Sequence, residues 1–241
     1  MDVGSGAMVE GYGVPHTRGA VRFGTSRDVA TVAALHSDAI SEGFLSSLGD
    51  RFLRRLYARI VASSHGFLLV AEHPQTDDTS ASDNRPSSVA GFVAGSAEVG
   101  RFYREFFLRD GLSVAFSSGV RLMRSLPRVV ENVRYGARAE HNCGDRAVGE
   151  KRTEPEAELL ALAVAPSARR AGVGAALVEA FLTSAAAGGS ASARVVVGME
   201  NEAAIALYTD AGFREATRFE IHSGIRSMLM RTDLTTAGPC Q

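Results

Sequence analysis

The stretch Ala157–Phe181, "AELLALAVAPSARRAGVGAALVEAF", decides how the rest of the chain is read. Its first eight residues are nearly continuous in apolar character, as a strand covered on both faces would be. Pro166 ends that strand, because proline has no N–H to give a ladder. Gly172 and Gly174 then stand at the turn into an alanine-rich helix. Missing side chains there let a ligand approach backbone N–H groups, and the first N–H groups of a helix point outward without intrahelical partners. Such a terminus carries about half a positive charge, to which Arg169 and Arg170 add two full ones. The segment is suited to phosphate or pyrophosphate.

Several phosphate-binding loops share this logic, and spacing separates them. A P-loop requires Gly-Lys-Ser/Thr at its end, whereas Gly172 is followed by "VGAALVEA" with no lysine, which disfavours nucleoside triphosphate hydrolysis. A dinucleotide fingerprint wants a third glycine or alanine where Leu177 stands, and no acidic residue follows a strand at the expected distance. A tight strand-to-helix corner with no ligand is the plain alternative for the glycine pair.

Working outward, the C-terminal half alternates regularly. "ARVVVGM" (193–199) predicts a strand, "NEAAIALYTDAG" (201–212) a helix with a glycine stop, and "FREATRFEI" (213–221) and "RSMLMRTDL" (226–234) a strand pair. Toward the N-terminus, "AVRF" (20–23) predicts a strand. Thr25 and Asp28 form a capping-box-like start to a helix with Val29, Val32, Ala33 and Leu35 on one face. A second amphipathic helix places Leu48, Phe52, Leu56 and Ile60 at steps of four, with arginines outside. "FLLVAE" and "VAGFVAGSAEV" predict a hairpin joined by a polar Ser/Asp/Pro connection. Strand, helix, strand, helix and a strand pair imply an α/β (α+β) domain with a mixed sheet and flanking helices.

The organisation expected is a disordered leader at 1–19, one domain over 20–234 with a helical insertion at about 101–140, and a flexible tail at 235–241. Composition excludes several function classes. At 241 residues and 45% hydrophobic, the chain can bury a sizeable core, and a formal net charge of −1 provides no global field for nucleic acid or an anionic membrane. The 2 cysteines form no CxxC or Cys/His cluster, so neither a disulfide framework nor a metal site is expected. No apolar run is long enough for a membrane span and no secretory signal pattern opens the chain, which predicts a cytoplasmic protein.

Two motifs carry a family resemblance. Arg169, Gly172 and Gly174 fit the Arg/Gln-x-x-Gly-x-Gly/Ala loop of the GCN5-related N-acetyltransferase (GNAT) superfamily. Asn201, Ala204, Leu207, Tyr208, Gly212 and Phe213 fit that superfamily's later signature, Asn-x-x-Ala-x-x-Leu-Tyr-x-x-x-Gly-Phe. Both occur in the right order with a strand between them. The resemblance is clear over 157–213 and does not cover the leader or the insertion.

It implies a mostly antiparallel central sheet in which two adjacent parallel strands splay apart around acetyl-CoA, with no metal. Backbone N–H groups of Arg170, Ala171, Gly172, Val173, Gly174 and Ala175 would then meet the pyrophosphate, with Arg169 and Asn201 contributing. Pantetheine would pair along Leu162, Ala163 and Val164. The implied reaction is acetyl transfer to a primary amine by direct attack in a ternary complex; a cofactor-binding regulatory or scaffold protein is the alternative.

Acetyl transfer to an amine requires loss of an amine proton, an oxyanion contact and protonation of a departing thiolate. Glu158 lies on the cofactor strand, where the histone-acetylating branch carries its glutamate, and is the first candidate base. Glu98 competes, and Glu156 ranks lower. Tyr208 takes the place of the superfamily's usual general acid, although packing of an amphipathic tyrosine explains it equally. Asn201 also suits an N-cap. The oxyanion contact is expected from a backbone N–H near Ala163, at a strand bulge, and His222 stands in a turn that often borders the acceptor.

The acceptor is either a small-molecule or a protein amine. Residues 101–140 hold eight arginines against four acidic residues, Glu105, Asp110, Glu131 and Glu140. Their expected roles are a solvated helical cover, an acceptor-site wall, or a membrane-surface or partner helix. A homodimer is compatible with this reading.

Overall fold

Short apolar runs such as Gly66–Glu72, Val89–Ser96 and Glu156–Val164 become strands, and segments with a period near 3.6 become helices. In the computed structural model, the described residues are 21–40, 44–73, 89–106, 108–109, 155–221 and 225–234. The leader, the tail, His222 and most of the insertion lie outside them.

The elements run β1 (Val21–Phe23), α1 (Val29–Ala39), α2 (Phe44–Ser47), α3 (Asp50–Ala62), β2 (Gly66–Glu72) and β3 (Val89–Ser96). A helix, α4, follows at 99–106, with 108 and 109 also helical. Then come β4 (Glu156–Val164), a 3-10 turn (Pro166–Ala168), α5 (Val173–Ala187), β5 (Ser192–Gly198), α6 (Glu202–Asp210), β6 (Arg214–Ile221) and β7 (Ile225–Asp233).

The strands form one seven-stranded sheet in the order β1-β2-β3-β4-β5-β7-β6. Its neighbours are antiparallel except β4 and β5. That exception follows from α5, a crossover helix long enough to return the chain to the same end of the sheet.

Each face of the sheet has its own core. On one, Val32, Ala33, Leu53, Leu56, Tyr57, Phe102 and Phe106 from the helices pack on Leu68, Val70, Phe92, Ala94, Ala161 and Ala163. On the other, Leu177, Val178, Phe181 and Tyr208 pack on Leu69, Val93, Leu159, Val195, Val197, Met228 and Met230. Burying one such large apolar side chain contributes about 2 kcal/mol against leaving it exposed.

The α3 residues Phe52, Leu53, Leu56, Tyr57 and Ile60 are all buried, at the spacing that the sequence displays. In α1 the buried set extends to His36, which the apolar pattern alone does not include. Asp28, buried at the start of α1, accepts from the Thr25 N–H (2.8 Å) and from Arg22 through both carboxylate oxygens (2.8 and 2.9 Å). Arg22 also bonds Glu72 at 2.7 Å, so one guanidinium joins β1, α1 and β2.

The start of the inserted segment is more than a cover. Phe102 and Phe106 are fully buried and stack at 6.5 Å between centroids, making α4 part of the core rather than an appendage.

Candidate active site

Two departures from regular pairing in β4 build the site. Opposite β3, Ala94 pairs with Ala161 but Gly95 pairs with Leu159, so Leu160 is an extra, bulged residue. The bulge lies three positions before the Ala163 expected from the sequence. Its physical consequence is a change of side-chain parity. Ala157 and Leu159 join the α5 and α6 core before it, and Leu162 and Val164 pack on that same core after it. Glu156 and Glu158 therefore point to the opposite face, toward α1, α3 and α4.

The second departure faces β5. The parallel register runs from Glu156↔Ser192 to Leu159↔Val195 and stops there. Beyond it β4 continues to Val164 and β5 to Gly198, each still paired on its outer side. The two strands form a V that opens at their C-terminal ends. The edge of β4 carrying Leu162, Ala163 and Val164 is unpaired with β5, leaving backbone groups for an extended ligand.

Both helices that follow these strands begin at the open end. Arg170 adopts a left-handed backbone at φ 61° and Gly172 does so at φ 82°, which turns the chain sharply enough for α5 to start at Val173. The first intrahelical bond there runs from the Ala176 N–H to the Gly172 carbonyl at 3.0 Å. The N–H groups of Val173, Gly174 and Ala175 thus lack intrahelical partners. Among the described residues no side chain caps this terminus.

The two glycines differ in role. A Cβ on Gly172 would meet nothing within 4 Å, whereas one on Gly174 would stand 3.3 Å from Leu207 of α6. Gly172 leaves open space at the loop, and Gly174 permits helix packing.

Arg169 reaches back to the Val164 carbonyl at 3.3 Å. Ala171 is exposed between the two left-handed residues. Asn201 caps α6, its Oδ1 accepting from the Ala204 N–H at 3.1 Å.

Tyr208 is buried on the α5 and α6 face, tilted against Phe213 at 5.7 Å between centroids. Its hydroxyl makes no hydrogen bond to the described residues. Burial pushes its ionisation above the usual phenol range, so the group stays protonated at neutral pH.

On the opposite face, Glu158 sits in a charged cluster. Arg194 of β5 is its register partner, with Nε and Nη2 each 2.8 Å from Glu158 Oε2. The same guanidinium reaches Glu156 Oε2 at 3.2 Å, and Arg231 approaches Glu156 Oε1 at 2.9 Å. All four side chains are at most about a quarter exposed. Tyr103 of α4 is adjacent; burial first, and then the charge of Glu158, push its phenol upward. Neither Arg194 nor Tyr103 is marked by any sequence motif.

Glu98 belongs elsewhere. It accepts from Arg101 (2.8 Å), lies 3.9 Å from His65 Nδ1, and stands at the start of α4. Near it is an arginine-lined surface hollow of about 400 Å³ bordered by His65, Arg101, Arg104 and Arg109. Among the described residues no cluster of His, Cys, Asp and Glu could hold a metal ion, and no helix is long and apolar enough to cross a membrane.

Comparison with known proteins agrees with this geometry. The model of the Acetyltransferase (GNAT) family matches residues 135–213. Among solved structures, the ribosomal-protein-S18-alanine N-acetyltransferase from Escherichia coli aligns with a TM-score of 0.54 at 16% identity, covering 93% of this chain and 99% of that one. A phosphinothricin acetyltransferase from Sinorhizobium meliloti, in complex with AcCoA, aligns at 0.52 and 14% identity, covering 92% and 94%. A spermidine/spermine N-acetyltransferase from Vibrio cholerae aligns at 0.50 and 14% identity, covering 90% and 96%. No protein with a curated description matches the chain in sequence. At these identities the structures share the fold, and over residues 135–213, which hold both sequence motifs, the chain matches the Acetyltransferase (GNAT) family.

Proposed function

We propose that the protein transfers an acetyl group from acetyl-CoA to a primary amine. The observation that carries this reading is the position of Glu158, one residue before the parallel strands part, on the face opposite Tyr208. The gap between β4 and β5 is where groups on the two faces can serve one reaction centre.

The residues present fit the cosubstrate. Unpaired N–H groups of Val173 to Ala175, the open space at Gly172 and the cations Arg169 and Arg170 suit a pyrophosphate. The free edge at Leu162 to Val164 suits an amide-bearing arm that pairs as a strand would. Bound there, acetyl-CoA supplies a thioester acyl group.

The chain's own groups then have separable tasks. Glu158 takes a proton from the acceptor's ammonium, directly or through water, freeing the lone pair for attack on the carbonyl carbon. As the carbon–sulfur bond breaks, the Tyr208 hydroxyl gives its proton to the sulfur, and the second proton of the attacking nitrogen leaves to solvent, from which the phenol is reprotonated. A backbone N–H at or near the Leu160 bulge faces the carbonyl oxygen. The acceptor approaches from the α1, α3 and α4 side, where Glu158 lies.

The test is thiol release from acetyl-CoA by purified protein with spermidine, phosphinothricin, amino sugars and alanine-terminated peptides, beside calorimetric acetyl-CoA binding. Acceptor-dependent release that falls at least a hundredfold in Glu158→Gln, with binding intact, supports the reading. Tight binding with no release from any amine favours a regulatory protein, and full activity in Glu158→Gln removes that residue as base.

A further inference from the structure

We infer that Arg194 is a positioning residue, which holds the Glu158 carboxylate ionised and oriented at the inner end of the V. This rests on the reading above only for the use to which Glu158 is put; the coupling of the two residues stands on geometry alone.

A carboxylate as enclosed as Glu158, about 19% exposed and beside Tyr103 of α4, would take up a proton unless a cation faced it. A base that is already protonated accepts nothing. Arg194 provides the cation through two contacts of 2.8 Å to one oxygen. A lone buried arginine would itself be costly, and the structure answers that cost with Glu156, which Arg194 and Arg231 share. Among the described residues, two acids and two arginines balance in charge. The groups facing Glu158 among the described residues include Arg194 from β5, Glu156 along β4, Tyr103 from α4 and Ser96 opposite on β3.

Placement gives the pair a second consequence. Glu158↔Arg194 is the last register pair but one before pairing ends at Leu159↔Val195. The contact ties β4 to β5 where they begin to separate, so the carboxylate cannot drift along the groove. An arginine matters here because its planar fork fixes direction as well as charge.

The experiment follows Glu side-chain carboxyl ¹³C signals through a pH titration in wild type, Arg194→Gln and Arg194→Lys, with Glu158 assigned by its absence in Glu158→Gln. The expected result is a midpoint for Glu158 raised by about one unit, a tenfold change in proton binding, in Arg194→Gln and largely restored in Arg194→Lys. A midpoint unmoved in Arg194→Gln, in protein whose circular dichroism and acetyl-CoA binding match wild type, overturns the inference. Should Arg194→Gln fail to fold, Arg194→Lys serves alone: its shorter reach and the loss of the planar fork leave a small but measurable rise in the midpoint, and a titration identical to wild type refutes the idea. Kinetics separate the two levels. If Glu158→Gln keeps full turnover while the titration shifts, the base assignment fails and the coupling survives.

Discussion

Arg194 on β5 and Glu158 on β4 are register partners joined at 2.8 Å, one residue before their strands part. Glu156 completes the arrangement from the same strand. Glu156→Gln removes one negative charge and leaves two enclosed arginines with one carboxylate. The expected cost is about 2 kcal/mol of stability, below that of breaking a fully buried pair because these side chains retain some solvent. Turnover should fall much less than in Glu158→Gln, since Glu158 keeps its partner. Urea unfolding and thiol release on the same preparations check both; equal kinetic losses would move the base role to Glu156.

Tyr208→Phe removes a hydroxyl that makes no hydrogen bond to the described residues while leaving the ring against Phe213. Stability should change little. If the phenol protonates the departing sulfur, turnover falls by about a hundredfold while acetyl-CoA affinity stays within about twofold. Parallel losses in affinity and turnover would make Tyr208 a packing residue instead.

The strands and helices were legible because their signals are local. The apolar runs of β4 and β5, the steps of four in α3 and the glycines ending α5 and α6 each involve neighbours in sequence. The glycine loop and the Asn201 and Tyr208 signature were legible for the same reason. What escaped notice depends on partners far apart. Arg194 stands 36 residues from Glu158, and inside "SARVVVG" no local pattern singles it out. The bulge at Leu160 is a mismatch between two strands, so neither strand's sequence displays it. Tyr103 lies at the edge of a segment whose arginines suggest a solvated surface, while Phe102 and Phe106 beside it are core.

Gly172 and Gly174 should respond differently to added bulk. Gly172→Ala forces a Cβ onto a backbone at φ 82°, costing about 1–2 kcal/mol, and places that carbon in the loop's open space. Acetyl-CoA affinity should drop at least tenfold. Gly174→Ala sits within α5, where alanine gains helix propensity of about 1 kcal/mol, against a 3.3 Å approach to Leu207. Its affinity should remain within a few-fold of wild type. Calorimetry on both variants decides; equal losses would mean that both glycines border the ligand.

His36 makes stability depend on pH. It is buried between α1 and the sheet, with Nδ1 2.5 Å from the Tyr57 hydroxyl, its ring stacked on Phe92, and Nε2 without a hydrogen-bond partner among the described residues. Burial lowers its pKa from 6.5 to about 4. A histidine depressed in the folded state binds its proton more readily when unfolded. Its neutral form therefore favours folding fully above about pH 6.5, and that contribution is lost as pH falls toward 4. The linkage amounts to about 2 kcal/mol by pH 5 and about 3 kcal/mol below pH 4. His36→Leu removes the titration, although it leaves the Tyr57 hydroxyl short of a partner and lowers stability at pH 7.5 by about 1 kcal/mol. Carboxylates titrate alike in both proteins, so the difference between their urea-unfolding curves isolates His36. That difference should shrink and then reverse between pH 7.5 and 5; a constant offset would show that His36 is protonated in the folded protein as readily as in the unfolded chain.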